Sequence, residues 1–320
     1  MIPNAFHYRN TLQVAVLVGG MLGILALTGW ILFGDGGAMW ALILVGGALI
    51  WLPSAAPALL LKLYRARPLS SRQVPAVYHA LAELCRRAGV PHVPVLYHLP
   101  TNVLNAFTVG SGRNAVIAVS DAMLRNLDMR ELINVLAHEV GHIAGSDVRV
   151  MTFADVISRI TALLSTAGNI LLLFNIPLLL LGEVTISWFL VPILILAPNA
   201  VMLLQLALSR TREFDADEFA ARIAGDPEGL AVTLHRLERS GGSVWERLFA
   251  PGKREEQPSF LRTHPPTRER ARRLLEMAAQ MQTGRSGRFW EPLYLQYRQP
   301  VSVPARTVRI PRWRLAGLWY

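Results

Sequence analysis

The sequence is poor in cysteine and in charged residues. Of its 320 residues only one is a cysteine, Cys85, so no disulfide can form within the chain and the fold needs no oxidising compartment. Charged residues make up 17% of the chain, whereas ordinary soluble domains carry about 25%. Hydrophobic residues make up 52%, and the mean hydropathy is +0.34. This composition argues against an ordinary soluble protein and indicates one that lies in a membrane.

The few charges present are mainly basic, with a formal net charge of +10 at pH 7. Nucleic-acid-binding proteins show such a balance. Inner-membrane proteins of the bacterial type show it too, because their cytoplasmic flanks collect Lys and Arg. The long apolar runs of this chain favour the membrane interpretation, and we expect no nucleic-acid partner.

Four apolar runs are each long enough to cross a hydrocarbon core, which takes about 20 helical residues. They cover approximately residues 11–33, 39–61, 160–181 and 186–208. The first run is too long for the apolar part of a cleaved signal peptide, and no clear small-residue cleavage site follows it. We therefore expect four transmembrane helices arranged as two hairpins.

Basic residues follow the second and fourth runs, whereas the short links inside the two hairpins contain none. Lys62 and Arg65 follow the second run, and Arg210 and Arg212 follow the fourth. Since cytoplasmic flanks are rich in Lys and Arg, both hairpin tips are expected outside the cell. The sequence thus predicts a multi-pass protein of the inner (plasma) membrane, with both termini and the polar segments in the cytoplasm.

The apolar runs divide the chain into five parts: a first hairpin at 1–65, a polar segment at 66–150, a second hairpin at 151–209, a second polar segment at 210–283, and a tail at 284–320. The first polar segment predicts a helix over 74–88 that ends near Gly89. Strands over 103–109 and 115–119 flank a glycine-rich turn, which indicates a hairpin. Asp128 is placed to cap a helix that runs from Met129 through His142.

The tail interleaves basic residues with tryptophan and tyrosine. This mixture suits a membrane surface. Single-stranded nucleic acid and a loosely ordered cytoplasmic extension are the alternatives.

His138, Glu139, Val140, Gly141 and His142 form an H-E-x-x-H motif. On a helix, residues i and i+4 lie on one face, so both imidazoles can bind one metal ion. The glutamate beside the first histidine is placed to take a proton from a water molecule. The alternative is a surface helix with two solvated histidines, which the apolar character of the segment disfavours.

A catalytic zinc ion usually takes three protein ligands, so two histidines leave the site incomplete. Glu213 can supply the third ligand. Asp217, one helical turn later, can accept the free N–H of a ligating imidazole. Two apolar runs separate His142 from Glu213, and two spans return the chain to the same side of the membrane. Without the H-E-x-x-H motif, the acidic residues of this helix would be interpreted as a solvated surface.

Taken together, these motifs resemble those of the HtpX-type heat-shock membrane metalloproteases, in the wider family that holds the CAAX prenyl proteases. The resemblance covers about residues 8–280 and leaves the tail outside. Its matching pieces are Asn105-Ala106-Phe107, Ala118-Val119-Ser120, His138 through Asp147, Ser209 to Ala221, and Thr263-His264-Pro265-Pro266.

The resemblance implies a gluzincin-type α+β zinc peptidase domain with a small β-sheet, set in a mainly α integral membrane protein. It implies one Zn²⁺ per chain, held by His138, His142 and Glu213, with Glu139 as the general base. The expected reaction is the hydrolysis of peptide bonds in polypeptide substrates, as part of the quality control of misfolded membrane or cytoplasmic proteins under stress.

The resemblance also implies roles in substrate binding. The strand that bears Asn105 and Ala106 is expected along the cleft, where an edge strand can bind an extended peptide. The alternative is that this hairpin has only a structural role. His264 is expected to donate a hydrogen bond to the oxyanion, although its spacing alone would favour an ordinary loop histidine.

Three other functions fit parts of the pattern. A CAAX-type prenyl protease shares the motifs but encloses its site with more spans. An inactive zinc-binding membrane scaffold would not need Glu139. A small-molecule transporter would carry charged or polar residues deep in its spans, where this chain has mainly Asn169, Asn175, Asn199 and Gln205.

Overall fold

The computed structural model describes residues 4–181, 190–240, 267–282 and 290–297. In these ranges the chain forms nine α-helices and one four-stranded sheet. The helices are α1 (Asn4–Phe33), α2 (Asp35–Leu63), α3 (Pro75–Ala88), α4 (Asp121–Asn126), α5 (Met129–Ala144), α6 (Asp147–Leu180), α7 (Leu190–Ala224), α8 (Pro227–Ser240) and α9 (Thr267–Gln282). The strands are β1 (Arg67–Pro68), β2 (Val95–Leu99), β3 (Ala106–Val109) and β4 (Val116–Ser120).

Three helices of the described residues are long and apolar enough to cross a membrane, over Leu12–Phe33, Asp147–Pro177 and Leu190–Ala224. They overlap the first, third and fourth predicted runs. The second run lies in α2, whose apolar stretch Gly36–Ala48 is shorter. The fourth span therefore stays a prediction.

Helices α1, α2, α6 and α7 bury a common apolar cluster that includes Met21, Ala41, Ile157 and Val201. Small residues let α1 and α2 approach closely at the tip of their hairpin. A Cβ placed on Gly37 would lie only 2.0 Å from the carbonyl oxygen of Gly29, so no larger side chain fits there. Close backbone approach of this kind is a common way for helices to associate in lipid.

The sheet has the order β1-β2-β4-β3, and β3 is therefore an edge strand. The predicted hairpin is confirmed: β3 pairs antiparallel with β4, with Ala106 opposite Val119. Its first strand is shorter than predicted and begins at Ala106. Strand β2, which pairs parallel with β4, was not predicted.

The two faces of β3 serve different parts of the molecule, because successive side chains of a strand point to opposite faces. Phe107 and Val109 pack with Tyr64 at the end of α2. Ala106 packs against the main core, and Thr108 contacts α5. The strand thus links the end of a predicted span to the helix with the two histidines.

Helix α5 begins where the sequence predicts. Asp128 accepts a hydrogen bond from the backbone N–H of Glu131 at 2.8 Å, and the Glu131 carboxylate accepts one from the backbone N–H of Asp128 at 3.0 Å. This reciprocal pair satisfies two backbone donors that a helix start leaves open. After Ala144, only Gly145 and Ser146 separate α5 from α6, so the H-E-x-x-H helix leads directly into a predicted span.

Helix α7 continues beyond the predicted apolar run. It is one helix of 35 residues, about 52 Å long at 1.5 Å per residue. Glu213 and Asp217 lie on this continuation, so α7 carries both a predicted span and the third predicted ligand. The predicted division points 150/151 and 209/210 fall inside α6 and α7, and the division into five parts stays a prediction.

Residues 290–297, at the start of the predicted tail region, pack against the domain that holds the site. Leu293 is fully buried in the main core. The guanidinium group of Arg87 lies 5.1 Å from the centre of the Trp290 ring, and that of Arg130 lies 4.6 Å from the centre of the Tyr294 ring. These aromatic residues therefore stabilise the domain, a role that the sequence analysis did not consider. The rest of the tail lies outside the described residues.

Candidate metal centre

His138, His142 and Glu213 bring their ligand atoms within 4.8 Å of one another. Nε2 of His138 lies 3.1 Å from Nε2 of His142, one turn later on α5. The Glu213 carboxylate oxygens lie 3.5 Å from Nε2 of His138 and 3.7 Å from Nε2 of His142. The three residues predicted as metal ligands thus face one point.

Close packing of α5 on α7 makes this convergence possible. A Cβ on Gly141 would lie 3.1 Å from the backbone oxygen of Ala216, which is tighter than ordinary van der Waals contact. The glycine inside the H-E-x-x-H motif therefore lets the two helices approach. That approach brings Glu213, on α7, next to the two imidazoles on α5.

Each histidine has a carboxylate at its other ring nitrogen. Nδ1 of His138 lies 3.0 Å from Oδ1 of Asp217, the residue predicted to support this imidazole. Nδ1 of His142 lies 2.8 Å from Oδ2 of Asp147. The Asp147 carboxylate accepts the N–H at Nδ1 of His142, so that ring keeps the lone pair of Nε2 for a metal ion. The Asp217 carboxylate lies at the matching position of His138, but outside hydrogen-bond geometry.

Asp147 has no role that its position in the sequence would indicate. The residue is the first of α6 and follows His142 by five positions. Sequence spacing alone did not show that the break between α5 and α6 would turn the Asp147 carboxylate back onto the imidazole.

Two arginines hold the two aspartates. Arg270 of α9 donates two hydrogen bonds to the Asp217 carboxylate, at 2.6 and 2.7 Å, and also lies 3.2 Å from Oε2 of Glu213. Arg212 of α7 donates to Asp147 at 2.5 Å and to the carbonyl oxygen of Gly145 at 3.1 Å. The site therefore contains two His–Asp–Arg chains, and the sequence analysis predicted neither arginine.

The charges of this cluster fit a divalent cation. The carboxylates around the two imidazoles outnumber the guanidinium groups, even before Asp215, which lies 3.4 Å from Arg212, is counted, so the cluster keeps an excess of negative charge when both imidazoles are neutral. Unbalanced charges are costly in a buried site, and a metal ion of charge +2 at Nε2 would offset them. The carboxylates belong to Glu139, Asp147, Glu213 and Asp217, and the guanidinium groups to Arg212 and Arg270.

The same excess of negative charge acts on the histidines. Burial lowers the pKa of His138, but the carboxylates of Asp217 and Glu213 outweigh burial and raise it to about 10. Burial and the charge of His138 lower the pKa of His142, yet Asp147 and Glu213 leave it above its ordinary value. The cage thus attracts positive charge at the imidazoles, where a proton and a metal ion compete.

Glu139 lies beside the ligands on α5 and is buried. Its carboxylate oxygen Oε2 accepts a hydrogen bond of 2.7 Å from the Thr108 hydroxyl of strand β3. Thr108 was not among the predicted site residues, since nothing in the sequence shows that its side chain meets Glu139.

Asn105 and Ala106 lie at the start of the edge strand and are partly buried. The main-chain groups of Asn105 are bonded to Ser120: Ser120 N donates to Asn105 O at 2.9 Å, and Asn105 N donates to the Ser120 hydroxyl at 3.1 Å. Main-chain groups alternate in direction along a strand, so those of Ala106 and Thr108 point away from β4, to the unpaired edge of the sheet. No other strand of the described ranges pairs with that edge.

Comparison with known proteins places this site in a family. The sequence pattern of Peptidase family M48 matches residues 68–278. The chain belongs to peptidase family M48.

Relatives within the family match most of the chain. The protease HtpX homologue of Persephonella marina is 33% identical over 288 residues, which cover 85% of this chain and 99% of that protein. The homologue of Salinibacter ruber is 35% identical over 294 residues, covering 85% and 100%. That of Pyrococcus abyssi is 32% identical over 298 residues, covering 84% and 96%.

Among solved structures, the crystal structure of S. mikatae Ste24p is similar, with 18% identity and a TM-score of 0.45. The similarity covers 84% of this chain and 65% of that one.

Membership of family M48 and the apolar helices identify the protein as a membrane-bound metalloprotease, as predicted. In this M48 peptidase the cofactor is a metal ion, for which the His-His-Glu cluster is the candidate site.

One predicted residue of this M48 site lies outside the described ranges. It is His264, whose role at the oxyanion stays a prediction. Two other residues with reactive side chains lie away from the cluster. His98 lies on β2 and pairs with Asp121 at 3.2 Å. Cys85 is buried, and burial raises the pKa of its thiol to about 11.

Proposed function

We propose that the protein is a zinc-dependent endopeptidase of the inner membrane that hydrolyses unfolded polypeptides on the cytoplasmic side. The observation that carries the proposal is the convergence of His138, His142 and Glu213 beside the buried carboxylate of Glu139. A structural zinc site has no need of such a carboxylate, so an inactive scaffold is disfavoured.

The donor set favours zinc as the metal. Two imidazoles and one carboxylate are the ligands of many catalytic zinc sites, which keep a further position open. When bound, a zinc ion there would supply Lewis acidity that activates water and polarises the scissile carbonyl. The two His–Asp pairs support this assignment, because they orient both imidazoles toward the ion.

Other residues of the chain are proposed to transfer the proton, orient the ligands and stabilise the oxyanion. Glu139 accepts a proton from the attacking water and delivers it to the leaving amine. Asp217 and Asp147 hold the tautomers of His138 and His142. His264 is proposed as a donor to the oxyanion, a role that typically contributes about 10²- to 10³-fold in kcat.

Substrate binding is proposed along the unpaired edge of β3. The main-chain groups of Ala106 and Thr108 are oriented to pair with an extended peptide, and such pairing reads no particular side chain. An unfolded segment can adopt this form, whereas a folded domain cannot. This supports a role in the quality control of misfolded membrane or cytoplasmic proteins, with the lipid bilayer as the enzyme's surroundings.

The decisive test uses the purified full-length chain in detergent with an unfolded protein as substrate. We expect cleavage with one equivalent of zinc and none after chelation, followed by recovery on adding zinc. Glu139→Gln should keep its zinc and lose cleavage, because the amide accepts no proton at neutral pH. A Glu139→Gln variant that cleaves at the wild-type rate would overturn the proposal.

A further inference from the structure

The hydroxyl of Thr108 lies in contact with the proposed general base. Its Oγ1 is 2.7 Å from Oε2 of Glu139 and 3.4 Å from the backbone oxygen of the same residue. A hydroxyl has a single proton to donate, and the shorter contact is the one with the carboxylate. An ionised carboxylate only accepts, so Thr108 is the donor.

We infer that Thr108 is a positioning residue that fixes the carboxylate of Glu139 for proton transfer. The inference rests on the proposed function. The Thr108 hydroxyl occupies one acceptor position of Oε2 and so restrains rotation of the Glu139 carboxylate.

The burial of Thr108 strengthens its hydrogen bond to Glu139. The residue is 6% exposed, so little water competes for the carboxylate. Hydrogen bonds to a charged group are among the stronger ones in proteins. Without the hydroxyl, the Glu139 side chain would lose its fixed orientation. Proton transfer requires that orientation within narrow limits.

The location of Thr108 also links the base to substrate binding. Its side chain faces α5, while its main chain points to the unpaired edge of β3, where the substrate is proposed to pair. A peptide that adds to this edge would hold the strand in place. It would thereby hold the hydroxyl against Glu139, so that substrate and base are positioned by the same residue.

The test compares Thr108→Val and Thr108→Ser in the full-length zinc-loaded protein. Valine keeps the branched shape that suits a strand but lacks the hydroxyl, so we expect kcat to fall about 10- to 100-fold. KM and zinc per chain should stay at wild-type values, because strand and ligands remain. Serine restores the donor and should recover kcat to within a few-fold.

Thr233→Val is the matched control, since Thr233 is a fully buried threonine whose hydroxyl bonds to the Gly229 carbonyl oxygen away from the site. It should leave kcat unchanged. If Thr108→Val misfolds, Thr108→Ala takes its place in the comparison.

The possible outcomes separate the two proposals. An active wild type with unchanged kcat in Thr108→Val overturns the role of Thr108 alone. Loss of zinc in that variant, or failure of serine to restore kcat, shows a structural role and also overturns it. A wild type that cleaves nothing with zinc bound overturns the proposed function and this inference together.

Discussion

At the scale of the residue, the site depends on the carboxylates behind the two imidazoles. Asp147 and Asp217 touch no metal ion directly, yet each lies at the Nδ1 nitrogen of its histidine. Such partners of metal ligands typically change metal affinity about 10- to 100-fold. They are therefore more sensitive positions than their distance from the reacting atoms suggests.

Asp147→Asn tests the partner that the sequence analysis did not identify. An amide can present its N–H₂ to Nδ1 and favour the wrong tautomer of His142, so zinc affinity should fall about 10- to 100-fold. The measurement is competition for zinc against a chromophoric chelator. Asp155→Asn is the control, because Asp155 lies on the same helix, two turns beyond Asp147, and pairs with Arg159 at 2.7 Å. Equal affinities of the two variants would contradict the prediction.

The metal ligands were predictable and their supports were not, for a physical reason. The i, i+4 spacing of the two histidines and of Glu213 and Asp217 is local, so sequence alone shows that each pair shares a helix face. Thr108, Arg212 and Arg270 reach the site only through contacts between elements far apart in the chain. No local pattern marks such residues.

At the scale of the element, α5 and α7 meet through Gly141, and α9 completes the site from outside. Local signals predicted the start of α5 and the hairpin of β3 and β4, because caps and turns depend on a few neighbouring residues. Strand β2 was missed because its parallel partner β4 lies some twenty residues away and is joined to it through β3 rather than by a tight turn. Its five residues carry no clear alternation of their own.

Arg270→Met tests whether α9 supports the metal site. Removing the guanidinium group leaves the buried Asp217 without its charged partner, which typically costs about 3–5 kcal/mol. We expect a lower unfolding temperature together with weaker zinc retention, measured on the same samples by thermal denaturation and metal analysis. Arg272→Met, an exposed neighbour on α9, should change neither. Full zinc retention by Arg270→Met would show that α9 packs against the domain without supporting the metal site.

Asp226 joins α5 to the turn between α7 and α8, away from the metal site. It accepts two hydrogen bonds of 2.6 Å from Arg130 and one of 3.1 Å from Asn134. Burial raises the pKa of Asp226, but these bonds outweigh burial and hold it below the ordinary value. The pKa of Asp226 is lower in the folded state than in the unfolded state. The stabilisation is therefore fully present at pH values above the unfolded-state pKa, and it is lost as the pH falls through the folded-state pKa.

Asp226→Asn should therefore lower the unfolding temperature at pH 7, and the difference from wild type should shrink in acid. The expected cost at pH 7 is about 1–3 kcal/mol, because Arg130 is partly exposed and water screens the pair. Thermal denaturation at several pH values measures it, with the exposed Glu238→Gln as control. A difference that grows toward acid would contradict the assigned sign.

At the scale of the whole molecule, the metal site is built on helices that continue from predicted spans. Helix α6 begins at Asp147, which holds His142, and α7 carries Glu213 beyond its apolar part. Two of the helices that build the site are thus continuous with predicted spans. This geometry requires an even number of spans between His142 and Glu213, and it supports a site close to the membrane surface.

The lone cysteine makes the proposed orientation testable by labelling. Cys85 is buried with a raised thiol pKa, so it should react slowly and contribute little to the labelling signal. Gly36 lies at the tip of the first hairpin and has no neighbour within 4 Å of an added Cβ, so cysteine fits there. Ser71 and Glu276 are exposed on the domain that holds the metal site.

With a membrane-impermeant maleimide, Gly36→Cys should be labelled in intact cells. Ser71→Cys and Glu276→Cys should be labelled only after the membrane is opened, because positive-inside flanks place both in the cytoplasm. Agreement between these two also requires an even number of spans between them, as the shared metal site demands. Labelling of Ser71→Cys in intact cells would show that the domain with the metal site lies outside the cell, opposite to the proposed orientation. A difference between Ser71→Cys and Glu276→Cys would mean that the two halves of the site lie on opposite sides of the membrane, which the contact between His138 and Glu213 forbids.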